Sequence, residues 1–148
     1  MMKRDTFDLN HFVKAQNGVY YRVVLELRQA IKQTHWMWFI FPQITGLGKS
    51  TRSQKYAIKS LDEASKYLNH PTLGERLFEC VEILVGIEGK TIHEIFGSPD
   101  DLKLRSLMTL FAGIASPGSV FDQVIEKYFQ GDVCWHTQKL LQKNKGNN

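Results

Sequence analysis

His35-Trp36-Met37-Trp38-Phe39-Ile40-Phe41-Pro42-Gln43 is the run whose reading decides the fold, and it continues through Ile44-Thr45-Gly46-Leu47-Gly48-Lys49-Ser50 into Thr51-Arg52-Ser53-Gln54-Lys55-Tyr56. The most apolar and aromatic segment is thereby joined to a glycine-flexed one rich in cations and hydroxyls. Large aromatics bury ~150–250 Å² each, so Trp38, Phe39 and Phe41 are expected as packing anchors. His35 and Trp36 carry ring N–H groups that need a partner or solvent, and one face of the run is expected to floor a pocket. Consecutive apolar residues show no period, so length and flanks must separate helix from strand. A cap at Thr34 and a stop at Pro42 favour a short helix. Nothing else in the chain offers a partner strand.

Gly46, Gly48, Lys49 and Ser50 imitate a phosphate-binding P-loop, whose pattern places a glycine five positions before the Gly-Lys pair. That position holds Gln43, Pro42 interrupts the junction, and no later apolar strand ends in a magnesium-binding aspartate. A nucleotide hydrolase of that type is excluded. What survives is open backbone geometry at the two glycines, with Lys49, Ser50, Arg52 and Ser53 placed to meet an anion where the next helix begins. A loop with a solvated basic face is the plain alternative.

With 148 residues, 43% of them apolar, the chain is expected to form one domain, 1–148, with a core of its own. No apolar run reaches the ~18 residues of a membrane span, and the first ten residues contain no apolar signal core. A cytoplasmic location is expected. Two cysteines, Cys80 and Cys134, make neither a disulfide framework nor a metal knuckle. The net charge of +4 permits an acidic partner without the dense basic stripe of a nucleic-acid domain.

Helix signals follow one another along the chain. Phe7 and Asp8 suggest a staple and cap for a helix reaching Gly18, and Val23, Leu27, Ala30 and Ile31 make one face of a second, Val19 to Gln33, expected to pair with the first as a hairpin. Ser50 or Thr51 opens another, and Ser60-Leu61-Asp62-Glu63 is a capping box for the helix through Leu68. Pro71 suits the first turn of a helix whose stripe is Leu73, Leu77, Val81, Leu84 and Val85, with Cys80 beside it in the core. Thr91 caps a short helix ended by Gly97. Ser98-Pro99-Asp100-Asp101 then offers a cap, a proline at the first turn and two carboxylates where the helix dipole favours them. That helix should run to about Ala115 and bury Leu102, Leu107, Leu110 and Phe111. Ser119 caps the next, stopped by Gly131, and a last helix spans about Trp135 to Gln142 before a polar tail expected to fray from about 143. The sum is seven to nine short helices in an irregular all-α domain.

HWMWFIFPQ, GLGKS, SLDEASKYLNHPTLGERL and FGSPDDLKLRSLMTLF, in that order, closely resemble the family called domain of unknown function 1810, over nearly everything from Asp8 to about Gln130. The resemblance implies a mainly α-helical fold and brings no catalytic residues. Some members have borne a calpastatin label, but calpastatin-type inhibitors are disordered repeats and this aromatic-rich chain has neither property. One departure is Leu107, where related sequences tend to have serine beside Ser106.

Candidate chemistry centres on two segments. His35 with Ser50, Ser53 or Asp101 is the nucleophile-and-base set the residues allow, although no elbow motif accompanies it. The histidines His11, His35, His70, His93 and His136 are scattered without metal-ligand spacing, so solvent-facing or capping roles and no metal are expected. No cofactor is indicated. A pocket combining Trp36, Gln43, Lys49, Ser50, Arg52, Ser53 and Tyr56 with Asp100 and Lys103 would suit a small anionic ligand of the nucleotide, nucleoside or ADP-ribose kind. Asp100 and Asp101 have the alternative role of capping their own helix. Two other readings stay open: a protein-interaction module using an exposed aromatic patch, and single-strand nucleic-acid binding by Trp36, Tyr56 and nearby cations, the less favoured partner class.

Overall fold

The computed structural model describes residues 8–146. In chain order its helices are α1 Asn10–Asn17, α2 Tyr20–Arg28, α3 Met37–Ile40, α4 Thr51–Lys55, α5 Leu61–Asn69, α6 Leu73–Gly86, α7 Ile92–Phe96, α8 Asp100–Ala112, α9 Val120–Phe129 and α10 Trp135–Gly146. Among the described residues the only extended pairing is an isolated parallel bridge between Ile44 and Ile58. The chain is all-α, with ten helices among the described residues where seven to nine are expected.

The core is organised around α8, which packs on α9, α10, α7 and α5. Every residue from Ser106 to Phe111 is buried, so this part of α8 is enclosed on all sides, as a helix in the middle of a core must be. Its two hydroxyls are paired within that core. Thr109 Oγ1 donates to the Arg105 carbonyl at 2.8 Å and accepts from the Cys134 N–H at 2.9 Å, while Ser106 Oγ lies 2.8 Å from Thr137 Oγ1. These bonds fix where α10 begins. Leu107 is fully buried.

Where a hydroxyl precedes a helix in sequence, it usually caps that helix. Ser50 accepts the Ser53 N–H, Ser60 that of Glu63, Thr91 that of Glu94 and Ser119 that of Asp122. The box at Thr91 is complete, whereas Glu63 reaches back to the Lys59 N–H rather than to Ser60. His70 caps α6, its Nδ1 accepting the N–H groups of Thr72 and Leu73.

Other boundaries differ from expectation, each for a tertiary reason. Leu9 occupies the cap position of α1, and Asp8 accepts the Asn10 N–H; Phe7 lies outside the described residues. Helices α1 and α2 do not build a hairpin interface: α1 packs on α3 and α2 on α6. Helix α2 stops at Arg28, not Gln33, because Ala30 turns left-handed (φ 60°) and the Ile31 N–H closes back on the Glu26 carbonyl. Pro99, not Ser98, stands at the cap of α8, which ends at Ala112. Leu102, expected inside, is 53% exposed. Helix α10 continues to Gly146, beyond the expected end near Gln142.

The bend after α2 is held by a buried carboxylate. Glu26, 1% exposed, accepts the N–H groups of Gln33 and Thr34 and the Trp36 indole N–H on Oε1, and the Thr34 hydroxyl on Oε2. Burial alone would raise its pKa, but these bonds outweigh it and hold the carboxyl below the ordinary glutamate value. Thr34 is therefore occupied by Glu26 and does not cap α3, which starts after Trp36 without a side-chain cap.

Candidate functional site

Trp36 and Trp38 part company at α3. Trp36 is 1% exposed, edge-on to Phe96 and bonded to Glu26, so it is the anchor. Trp38 is half-buried and carries two cations, with the Arg52 guanidinium 5.0 Å and the Lys103 ammonium 5.7 Å from its ring. A cation near an aromatic face is held by the ring quadrupole. Trp38 thereby ties α4 to α8, and the two segments singled out in the sequence meet in space.

Between them lies an open groove of about 480 Å³, within the usual range for small-molecule sites. One wall is the loop before α4 with its first turn: Gln43, Leu47, Gly48, Lys49, Ser50 and Ser53. The floor is the first half of α8, presenting Leu102, Lys103, Arg105 and Ser106. Cys134 and His136 from the start of α10 form the far side. A slot of about 10 Å³ beside Trp38 and Tyr56 adjoins the groove through Gln43, Ser53 and Lys103, room for roughly one water.

Gly48 is needed for the loop to close on α4. A Cβ placed there would stand 2.3 Å from the Ser53 Cβ, a clash that requires backbone movement. Ser50 Oγ accepts the Ser53 N–H and lies 2.8 Å from Ser53 Oγ. The start of α4 is therefore capped from within, with the Ser53 N–H already bonded to Ser50. Three cations, Lys49, Lys103 and Arg105, line the groove, and no carboxylate does among the described residues. Lys103 lies 3.9 Å from Asp100, and Arg105 Nη1 pairs with the exposed Asp132 at 3.2 Å while its buried Nε has no partner.

A cavity of about 380 Å³ beside Tyr20 and Arg76 is the alternative. Its polar groups are paired internally: Arg76 donates to Gln16 and Asn17, and the Tyr20 hydroxyl donates to Glu79. Burial, followed by nearby Cys80 and Glu79, pushes the Tyr20 pKa upward. With Glu75 and Glu79 around one arginine, that cavity repels anions more than the groove does.

The family model described as "Protein of unknown function (DUF1810)" matches residues 6–141. The chain belongs to the DUF1810 family. It is also similar to the conserved hypothetical protein Rv1873 from Mycobacterium tuberculosis, a crystal structure matched at 49% sequence identity and a TM-score of 0.91 over 93% of this chain and 99% of that one. A search among curated proteins finds no match.

In this DUF1810 chain, Gln43, Lys49, Ser50, Ser53 and Lys103 are brought together around the groove. Tyr56 lines only the slot, with His11 stacked at 5.6 Å and Lys55 above its ring. Arg52 sits on Trp38. Trp36 and Asp100 lie elsewhere: Asp100 binds Lys32 at 3.1 Å, whose ammonium also donates to the Thr34 carbonyl and lies over Trp36. Asp101 turns to His93 at 3.2 Å and accepts the Leu102 N–H. His35 is exposed, and no hydrogen bond or ion pair among the described residues joins it to Ser50, Ser53 or Asp101. Of the two thiols, Cys80 is buried and its pKa is pushed up to about 12 by that burial, so it is an inert core residue. Sequence reasoning missed Leu102, Arg105, Cys134 and His136. For Leu102 the available signal is its place four residues after Ser98, in the first turn of a helix whose apolar stripe starts later.

Proposed function

We propose that the groove between the α4 loop, α8 and α10 binds a small anionic ligand of the phosphate-bearing nucleotide, nucleoside or ADP-ribose class. The observation that carries this reading is the convergence of Lys49, Lys103 and Arg105 on one groove with no lining carboxylate. Ser50, Ser53 and Gln43 add hydroxyl and amide partners on the same wall. The carboxylates beside Lys103 and Arg105, Asp100 and Asp132, lie outside the lining, and an anion in the groove would accept charge-assisted hydrogen bonds from the three cations. Binding is the role this arrangement favours, since among the described residues no hydrogen bond or ion pair joins His35 or Asp101 to the groove hydroxyls. For an interaction module built on an aromatic patch, Trp36 is out of reach in the core, while Trp38 is half-buried. Among the described residues no helix is long and apolar enough to cross a membrane. Two free cysteines suit the reducing cytoplasm that we propose as its location.

A thermal-shift panel of inorganic phosphates, nucleotides, nucleosides and sugar phosphates tests the reading. A ligand at one hundred times its dissociation constant stabilises the fold by about 2.7 kcal/mol, a rise on the order of 5–10 °C for a domain of this size. Lys103→Ala should weaken the ligand about tenfold, the value of one charge-assisted contact, and raised salt should weaken it further. A folded protein that no member of the panel stabilises at low salt contradicts the proposal.

A further inference from the structure

A ligand that carries a ring as well as a phosphate needs an accessible aromatic surface near these cations, and three of the four candidates are partly or wholly buried. Trp36 is inside the core. Trp38 carries Arg52 and Lys103, and Tyr56 is packed among His11, Phe12 and Phe39. The fourth is Trp135, which the sequence pattern does not single out and which stays 64% exposed with Lys139 4.8 Å above its ring.

Trp135 is outside the groove lining but stands between two residues that belong to it, Cys134 and His136, its ring centre 5.2 Å from that of His136. Its place is preformed, because the Ser106–Thr137 and Cys134–Thr109 bonds fix the first turn of α10 on buried α8. Thr137 Oγ1 also lies 3.3 Å from Cys134 Sγ. Leu102, another large apolar side chain left open, belongs to the groove lining itself. Two of the five large exposed hydrophobics among the described residues thus lie in or beside the groove that Lys49, Lys103 and Arg105 line. Leaving such side chains in water forgoes the stabilisation of burying them, about 25 cal/mol per Å². A bound ring recovers it.

Building on the anion-binding reading, we propose that the ligand is a nucleoside phosphate lying along the groove, its phosphates at Lys49 and Lys103 and its base against Trp135 and Leu102. Base–aromatic stacking adds about 1–3 kcal/mol, on the order of tenfold or more in affinity.

Titration calorimetry with pyrophosphate and with ADP, on the full chain and on Trp135→Ala and Trp135→Phe, tests this. The expected result is ADP binding at least tenfold tighter than pyrophosphate, an advantage lost in Trp135→Ala, kept in large part in Trp135→Phe, and no change in pyrophosphate affinity in either variant. Equal affinity for the two ligands in the unaltered protein, or an ADP advantage that survives Trp135→Ala, overturns the placement of the base while leaving the anion site standing. If neither ligand binds, this inference and the anion-binding reading both fall. The exposed position of Trp135 means that the variants should melt within about a degree of the parent, so a fold defect is visible separately.

Discussion

Glu26→Ala is expected to lower the unfolding free energy by about 4 kcal/mol. The carboxylate is the shared acceptor for three N–H groups and a hydroxyl, and each buried donor left without a partner costs about 1–3 kcal/mol. Gln33 and Thr34 are near enough to solvent to recover part of that loss, whereas the Trp36 indole N–H is sealed in the core. Glu26→Gln should cost less, about 1–2 kcal/mol, because its carbonyl oxygen can still accept the three bonds made to Oε1, while charge assistance is lost and the amide nitrogen must donate to the Thr34 hydroxyl instead of accepting from it. The two variants also separate in pH. The folded-state pKa of Glu26 is depressed below the ordinary value of 4.5, so its contribution is fully present above that value and is lost as pH falls below it toward the folded pKa. Denaturant unfolding at pH 7 and pH 3.5 should therefore show a gap between parent and Glu26→Gln that shrinks in acid. A gap constant with pH would contradict the account of the bend after α2.

Gly74→Ala is expected to cost about 3 kcal/mol or more, and to do so without touching the groove. Gly74 is buried in the first turn of α6, where a Cβ would stand 2.0 Å from the Leu68 carbonyl oxygen at the end of α5. The obstacle is backbone, so no rotamer change relieves it, and α5 must shift against α6. Overpacking of this kind costs roughly 1–3 kcal/mol and sometimes more, against the ordinary gain of about 1 kcal/mol for replacing a helical glycine by alanine. A melting temperature equal to or above the parent's would show that α5 and α6 do not approach as closely as described.

Helix starts announced by a hydroxyl were legible in the sequence, since Ser50, Ser60, Thr91 and Ser119 each satisfy orphan N–H groups within four residues. The end of α2 was not, because Ala30 is left-handed for a reason that lies in the Glu26 network and not in alanine. Trp36 and Trp38 could not be told apart for a related reason. A continuous apolar run contains no period to say which indole faces Glu26 and which faces solvent. Local chemistry nominated Ser98 as a cap, but Pro99 holds that position without a side-chain cap bond, and Asp100 pairs with Lys32 from a distant turn. One wall of the groove was legible, as Gln43, Lys49, Ser50 and Ser53 lie in one unusual stretch. Its far side, Cys134 and His136, lies in a segment with no motif, placed only by the burial of Ser106 and Thr109 in α8.

The central claim is that the cationic groove, and not the cavity at Tyr20 and Arg76, is where an anion binds. Amide chemical-shift mapping during a pyrophosphate titration at low salt tests it directly. The expected result is a saturable shift confined to Gln43, Gly48 through Ser53, Lys103 through Ser106 and Cys134 through Thr137. Saturable shifts centred on Tyr20, Thr72 and Arg76, or none anywhere, would contradict it.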